Sequence, residues 1–310
     1  MTRNKMTQTA SALLSNPVFS LEALGPHAAG ELDLSARPDA VLARLADIAR
    51  GTAAESRVGR MDPVVARALL RKGAGLEPVP GGRALREWIA ANAGSWHGIL
   101  KPSVRDIPTT ILELGGAAAE IAAASAMQDR ETAQTKYDAL MAAEGARLGI
   151  GTWHEYRTVY STDAYVSVFD PSVRRDHHLG IDLFCDAGTA LVLPMDGEVV
   201  DARIIDARLD YGGVLVLEHE FAEGRKFWSL WGHLSHASAR AWKPGDRIAA
   251  GTTFCDMGDF EENGWWLPHL HFQLSAEKYP DFGMMPGVGE GAFLSIWTDL
   301  FPDPTPLIFK

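Results

Sequence analysis

The 310-residue chain has almost no cysteine, no long apolar run and no surplus of positive charge. Its two cysteines, Cys185 and Cys255, cannot build the disulfide framework that staples small secreted scaffolds. A single Cys185–Cys255 bridge is the most they can make, and reduced thiols are expected where no export signal is legible. Nowhere do apolar residues run for the roughly 20 positions a helix needs to cross a bilayer. The most hydrophobic stretch, residues 111–127, is broken by Glu113, Glu120 and the pair Gly115-Gly116. Arg3 and Lys5 are not followed by an apolar segment of signal-peptide length. The expectation is a soluble, cytoplasmic protein with no membrane insertion. A formal net charge of −11 argues against a nucleic-acid partner, because phosphate binding needs clustered Lys and Arg. It equally disfavours adsorption to anionic membranes or acidic glycopolymers.

With 46% hydrophobic and 22% charged residues, a packed core is expected, in one large domain or two ordinary ones. Two styles of sequence meet near residue 150. The first is Ala-rich and helical. Residues 40–49 put Val41, Leu42, Leu45 and Ile48 on one stripe, with Asp39 as N-cap and Gly51 as stop. Asp62-Pro63 opens a second helix, Pro standing at the first helical position. A third is expected over 83–91. A fourth begins at Pro108-Thr109 and reaches about Met127, and a fifth covers 131–148. The lone histidines here, His27 and His97, fit surface or core positions better than ligand roles. This part is a candidate surface for homo-oligomer formation. After Gly149-Ile150-Gly151 the style changes to short apolar or alternating segments, at 190–193, 197–202, 213–218, 227–230 and 269–274. Gly and Pro punctuate them, which predicts an antiparallel β architecture. The expected class is α+β, with a helical region at 1–150 and a β domain at 151–310.

Seven of the ten histidines follow residue 170, and three local patterns stand out. In Asp176-His177-His178-Leu179-Gly180-Ile181-Asp182, His178 and Asp182 share parity. If the segment is extended, both leave one face, and Gly180 clears space between them. An imidazole and a carboxylate suit zinc. His177 has the opposite parity. In Pro268-His269-Leu270-His271-Phe272-Gln273-Leu274, period two places His269, His271 and Gln273 opposite Leu270, Phe272 and Leu274. Two same-face histidines in a buried strand need partners, and a metal supplies one. The third pattern is Trp231-Gly232-His233-Leu234-Ser235, uninformative alone. His219 and His236 are expected at the surface or behind the site.

These segments resemble the lysostaphin/LytM-type zinc endopeptidases. His178-Leu-Gly-Ile-Asp182 is similar to the family's H-x-G-x-D motif, His269-Leu-His271-Phe to its H-L-H-F motif, and Trp231-Gly-His233-Leu-Ser to its Y-A-H-L-S segment. The text between them follows the family in order over about 130 residues, including Tyr211-Gly-Gly-Val-Leu-Val-Leu-Glu-His219 and Lys243-Pro-Gly-Asp-Arg-Ile-Ala-Ala-Gly251. The resemblance implies an antiparallel β-sandwich, the duplicated hybrid motif. It implies Zn2+ held by His178, Asp182 and His271, with His233 and His269 as catalytic residues beside the bound water. The implied reaction is hydrolysis of a peptide or amide bond in a peptide, a peptidoglycan fragment or a small amide. A small cytoplasmic metabolite is the alternative substrate, and a non-catalytic binding module with the same fold the alternative role. The chain departs from the family at Asn263-Gly264-Trp265-Trp266-Leu267-Pro268, where a Gly/Ser/Thr-Gly-Pro stretch is usual. Trp265, Trp266 and Tyr211 are therefore candidate substrate contacts.

Overall fold

The structure is a computed structural model that describes residues 10, 12–16, 19–28, 30–96 and 98–309. Residues 1–9, which carry the start of the export argument, and His97 lie outside it. The helical part contains α1 (Leu21–Ala28), α2 (Pro38–Ala49), α3 (Pro63–Gly73) and α4 (Gly82–Ala91). In α3, Asp62 is the N-cap expected, its carboxylate accepting from the Val64 and Val65 amides. In α2 the Pro stands first and Arg37 takes the cap position, which moves Asp39 into the first turn, where its charge still suits the helix dipole.

The fourth predicted helix is largely replaced. Pro108 leads into strand β1 (Thr109–Ile111), and only Ala119–Ala126 is helical, as α5. Gly115 is the reason: a Cβ there would sit 1.8 Å from the Tyr156 carbonyl oxygen, so the chain turns tightly against residues 155–157 instead of winding on. The fifth helix, α6 (Arg130–Glu144), stops at the left-handed Gly145. Residues beyond it form strand β2 (Leu148–Gly151).

Ten strands follow: β3 (Arg175–His178), β4 (Ile181–Phe184), β5 (Ala190–Val192), β6 (Gly197–Ile205), β7 (Gly212–Glu220), β8 (Lys226–Leu234), β9 (Arg247–Ile248), β10 (Thr253–Asp256), β11 (His269–Ser275) and β12 (Val288–Glu290). The main sheet has eight strands in the order β1-β2-β4-β11-β8-β7-β6-β9, antiparallel except for β1 with β2. Two-stranded sheets, β5–β10 and β3–β12, complete the fold. The α+β class holds.

Both faces of the main sheet are covered, which explains why Val214 to Leu217 reads as a continuous apolar run and not an alternation. Val214, Val216, Trp228 and Leu230 join one core with α1–α3 and helix α7 (Leu294–Leu300). Leu215, Leu217, Trp231, Leu270, Phe272 and Leu274 join the other, with β5, β10 and α4. Cys185 and Cys255 are both free. Among the described residues no helix is long and apolar enough to cross a membrane.

Candidate metal centre

The sheet register brings the ligand candidates together. Asp182 on β4 lies directly opposite His271 on β11, and Gly232 of β8 faces His271 from the other side. His178 reaches the same point by a different route from the one parity predicts. It ends β3 and pairs with Val288 of β12, in a separate small sheet, and the chain steps across Leu179-Gly180 before β4 begins. His178 and Asp182 therefore do not share one strand. Their side chains nevertheless meet, His178 Nε2 lying 3.2 Å from Asp182 Oδ1. Gly180 is needed at the step, because a Cβ would fall 2.7 Å from both His271 Cε1 and the Phe272 carbonyl oxygen. The three side chains are buried, and their donor atoms all lie within 4.8 Å of one another.

Hydrogen-bond partners fix where each imidazole carries its proton. His178 Nδ1 lies 3.1 Å from both the Thr152 carbonyl and Arg157 Nη2, and the tautomer that donates to Thr152 leaves Nε2 bare toward Asp182. His271 Nε2 lies 2.9 Å from Gln273 Oε1. The Gln273 amide nitrogen donates to the Pro286 carbonyl, which turns Oε1 toward His271. His271 Nε2 is thus the donor and Nδ1 is bare. His178 Nε2 and His271 Nδ1 stand 3.0 Å apart, and both face Asp182 Oδ1 at 3.2 and 3.1 Å. Three acceptors pointing at one another without a proton repel, and a cation between them removes the conflict. The donor set, two imidazoles and one carboxylate, suits zinc.

Burial drives His178 down to about 4, with the Arg157 guanidinium adding to the effect. Burial also holds His233 well below the usual imidazole range and lowers His269. Burial alone would raise Asp182, but its charged and hydrogen-bonding neighbours, the permanently charged Arg157 guanidinium among them, outweigh it and keep the carboxylate well below its ordinary range.

His233 and His269 flank the triad. His233 Nδ1 donates to the Asn263 carbonyl at 2.8 Å, and His269 Nδ1 to the Leu267 carbonyl at 2.7 Å. Each keeps a bare Nε2, that of His269 lying 3.8 Å from Asp182 Oδ1. Their ring centroids are 4.1 Å apart. His233 adopts φ of 63°, a left-handed conformation that histidine tolerates better than most residues. It lets the ring leave the strand and turn toward His269, anchored by the His233 amide on the Tyr211 carbonyl.

A cleft of about 620 Å³ opens over these groups. Tyr211 and Trp266 line it, whereas Trp265 does not and packs edge-on against Phe260. Its remaining walls include Leu114, Ile121, Tyr160 and the segment from Gly283 to Val288. His177 bonds Asp176 at 2.6 Å and stays out of the triad. His219 is buried in the opposite core, between the Asp196 carbonyl and Ser229 Oγ, and stacks on Phe227. It is neither at the surface nor behind the site.

Sequence reasoning missed Arg157, Thr152 and the role of Gln273. Arg157 Nη2 donates to Asp182 Oδ2 at 2.7 Å and Nε to Glu155 Oε2 at 3.2 Å. Gln273 was placed on the correct face by period two alone. Arg157 left no local signal, since it lies 25 residues from the aspartate it meets.

The sequence profile of Peptidase family M23 matches residues 176–281. No curated protein matches the chain. Among solved structures it is similar to a zinc-containing peptidase from Vibrio cholerae, at 25% identity and TM-score 0.27, over 33% of this chain and 28% of that one. It is similar to the catalytic domain of the antimicrobial peptidase lysostaphin from Staphylococcus simulans, at 22% identity and TM-score 0.27, over 38% of this chain and 77% of that one. A third is the catalytic domain of the prophage-encoded M23 protein EnpA from Enterococcus faecalis, at 24% identity and TM-score 0.26, over 34% and 72%. The chain thus spans little more than a quarter of the Vibrio protein and about three quarters of the two catalytic domains.

Proposed function

We propose, from the premise that residues 176–281 are a Peptidase family M23 domain and so of metallopeptidase-hydrolase type, that this chain cleaves peptide or amide bonds with zinc held by His178, Asp182 and His271. The observation that carries the reading is the convergence of two buried imidazole nitrogens on one carboxylate oxygen, each ring having a hydrogen-bond partner for its other nitrogen on the far side. When bound, zinc supplies a Lewis acid for the scissile carbonyl and lowers the pKa of water toward about 7.

The chain's own residues account for the proton traffic. His233 and His269 are neutral, and each presents Nε2 as a proton acceptor because a backbone carbonyl holds the other nitrogen. Either ring can take a proton from water and later give it to the leaving nitrogen. The imidazolium so formed is stabilised by the nearby Asp182 carboxylate, 3.8 Å from His269 Nε2. Tyr211 and Trp266 flank the substrate, whose place is the cleft above the triad.

The cleft of about 620 Å³ has room for a short peptide or a small amide, and residues outside 176–281, among them Leu114, Ile121 and Tyr160, line part of it. The test has two parts. Purified protein is analysed for zinc, with His271→Ala as the control, and the zinc-loaded protein is screened against peptidoglycan fragments and small amides. About one zinc per chain, lost on His271→Ala, with release of a new amine from one substrate class, is expected. Less than half an equivalent together with no effect of His271→Ala would remove the reading.

A further inference from the structure

We infer that Arg157 is a positioning residue that restricts Asp182 to metal ligation through Oδ1 alone. The inference rests on the proposed metal site. Asp182 has its two oxygens in different surroundings. Oδ1 faces His178 Nε2, His271 Nδ1 and His269 Nε2 at 3.2, 3.1 and 3.8 Å. Oδ2 faces away and takes the Arg157 Nη2 proton at 2.7 Å, within the range of a charge-assisted bond. The pair is almost wholly buried, at 6% and 1% exposure, so water does not compete for that oxygen.

The guanidinium is itself held in place. Its Nε donates to Glu155 Oε2 at 3.2 Å. Glu155 Oε1 in turn accepts from the Gly115 amide at 3.2 Å, in the turn that ends the strand β1 excursion. The Arg157 amide bonds the Asp176 carbonyl at 2.8 Å. Gly151, opposite Asp182 in the β2–β4 register, leaves room for the fork: a Cβ would lie 2.6 Å from Nη2. Nη2 is also 3.1 Å from His178 Nδ1.

A free carboxylate can turn to offer both oxygens, and doing so fills two coordination positions. With Oδ2 held by Arg157, the triad supplies three donor atoms and leaves a position open for water or substrate, as a catalytic site requires. Arg157 lies outside residues 176–281. The segment before the matched domain therefore completes the metal centre.

The test replaces zinc by cobalt(II), whose visible band is intense in four-coordinate sites and weak at higher coordination. Arg157→Met should still bind one cobalt per chain, with a weaker band and an affinity reduced by about tenfold or more. An unchanged band overturns the inference. Should Arg157→Met fail to fold, Arg157→Lys keeps the charge but loses the rigid fork, and the same comparison of bands decides. His271→Ala separates the two levels of the argument. If it loses cobalt while the Arg157 variants keep the wild-type band, only the role of Arg157 falls. If it retains a full equivalent, the metal site falls and the inference with it.

Discussion

Gln273 is buried, with no exposed surface, and its amide does one thing at each end. Oε1 accepts from His271 Nε2 at 2.9 Å and Nε2 donates to the Pro286 carbonyl at 3.1 Å. Replacing it by leucine removes the acceptor that keeps the His271 proton on Nε2. The proton can then move to Nδ1, where Asp182 Oδ1 accepts it at 3.1 Å. That nitrogen must lose its proton before it can bind a metal. Removing an outer partner of this kind typically costs 10–100-fold in metal affinity, or about 1.4–2.7 kcal/mol. The metal-free protein is also destabilised, by about 1–3 kcal/mol, because His271 Nε2 and the Pro286 carbonyl both lose their buried Gln273 partner. Competition against a chromophoric chelator measures the first effect, and urea unfolding of metal-free protein the second. Gln273→Glu is the control. It keeps an acceptor for His271 and should retain affinity better than Gln273→Leu, even though it sets a carboxylate against the Pro286 carbonyl. If Gln273→Leu binds zinc as tightly as the parent, the proton assignment at His271 is wrong. The convergence of bare nitrogens on Asp182 would then lose its basis.

Other parts of the structure make separate predictions. Gly180→Ala forces a methyl group to within 2.7 Å of the His271 ring and of a backbone oxygen. It should lower the unfolding free energy measured in urea by about 1–3 kcal/mol through overpacking and weaken metal binding in the chelator competition. Burial drives His219 down to about 4 from an ordinary 6.5. Because its folded value is the lower one, the unfolded chain binds the proton more readily, and stability falls as pH drops from about 6.5 to about 4. That difference amounts to roughly 3 kcal/mol. His219→Gln should therefore lose about that much less than the parent between pH 7 and pH 4, and parallel curves would refute the assignment. Arg57 donates to the Val168, Phe19 and Phe169 carbonyls and lies over the Phe19 ring. Arg57→Met leaves those carbonyls short of a donor and should cost about 3 kcal/mol in urea unfolding, with one zinc per chain still bound.

What could be read from the sequence was whatever a single segment encodes. Alternation along β11 places His269, His271 and Gln273 on one face because neighbouring side chains in a strand must alternate. Asp62-Pro63 marks the start of α3 because a cap and a first-turn proline act within four residues. Apart from the Asp39 cap, which Arg37 displaces locally, the readings that failed concern contacts between distant segments. The Pro108 segment looked helical from its alanines, but β1 pairs with β2, 39 positions later in register (Thr109 with Leu148), and Gly115 must fit under Tyr156. The parity of His178 and Asp182 anticipated that their side chains meet, but for a wrong reason, since two different sheets deliver them. His219 looked like a surface residue because nothing local shows that Phe227, Ser229 and the Asp196 carbonyl enclose it.

The loop from Asn263 to Pro268 shows why departure from a motif need not disturb the chemistry around it. Its tryptophans are unlike the small residues usual before the H-L-H-F segment, and Trp266 does reach the cleft. What the loop gives the histidines, however, comes from its backbone. The Asn263 carbonyl takes the His233 proton and the Leu267 carbonyl takes that of His269. Asn263, fully buried, holds the loop closed by bonding the Leu267 carbonyl and the Trp266 amide. Carbonyl groups are common to every residue, so they leave no trace in a sequence motif. The same holds for Thr152, whose carbonyl sets the His178 tautomer. A motif therefore reports which side chains can bind a metal, whereas the proton arrangement that makes them ready to bind is set largely by backbone geometry. That geometry can survive replacement of the side chains around it, provided the residue that closes the loop is kept. Asn263 is that residue here, and exchanging it should disturb His233 and His269 together, where exchanging Trp266 alters only the wall of the cleft.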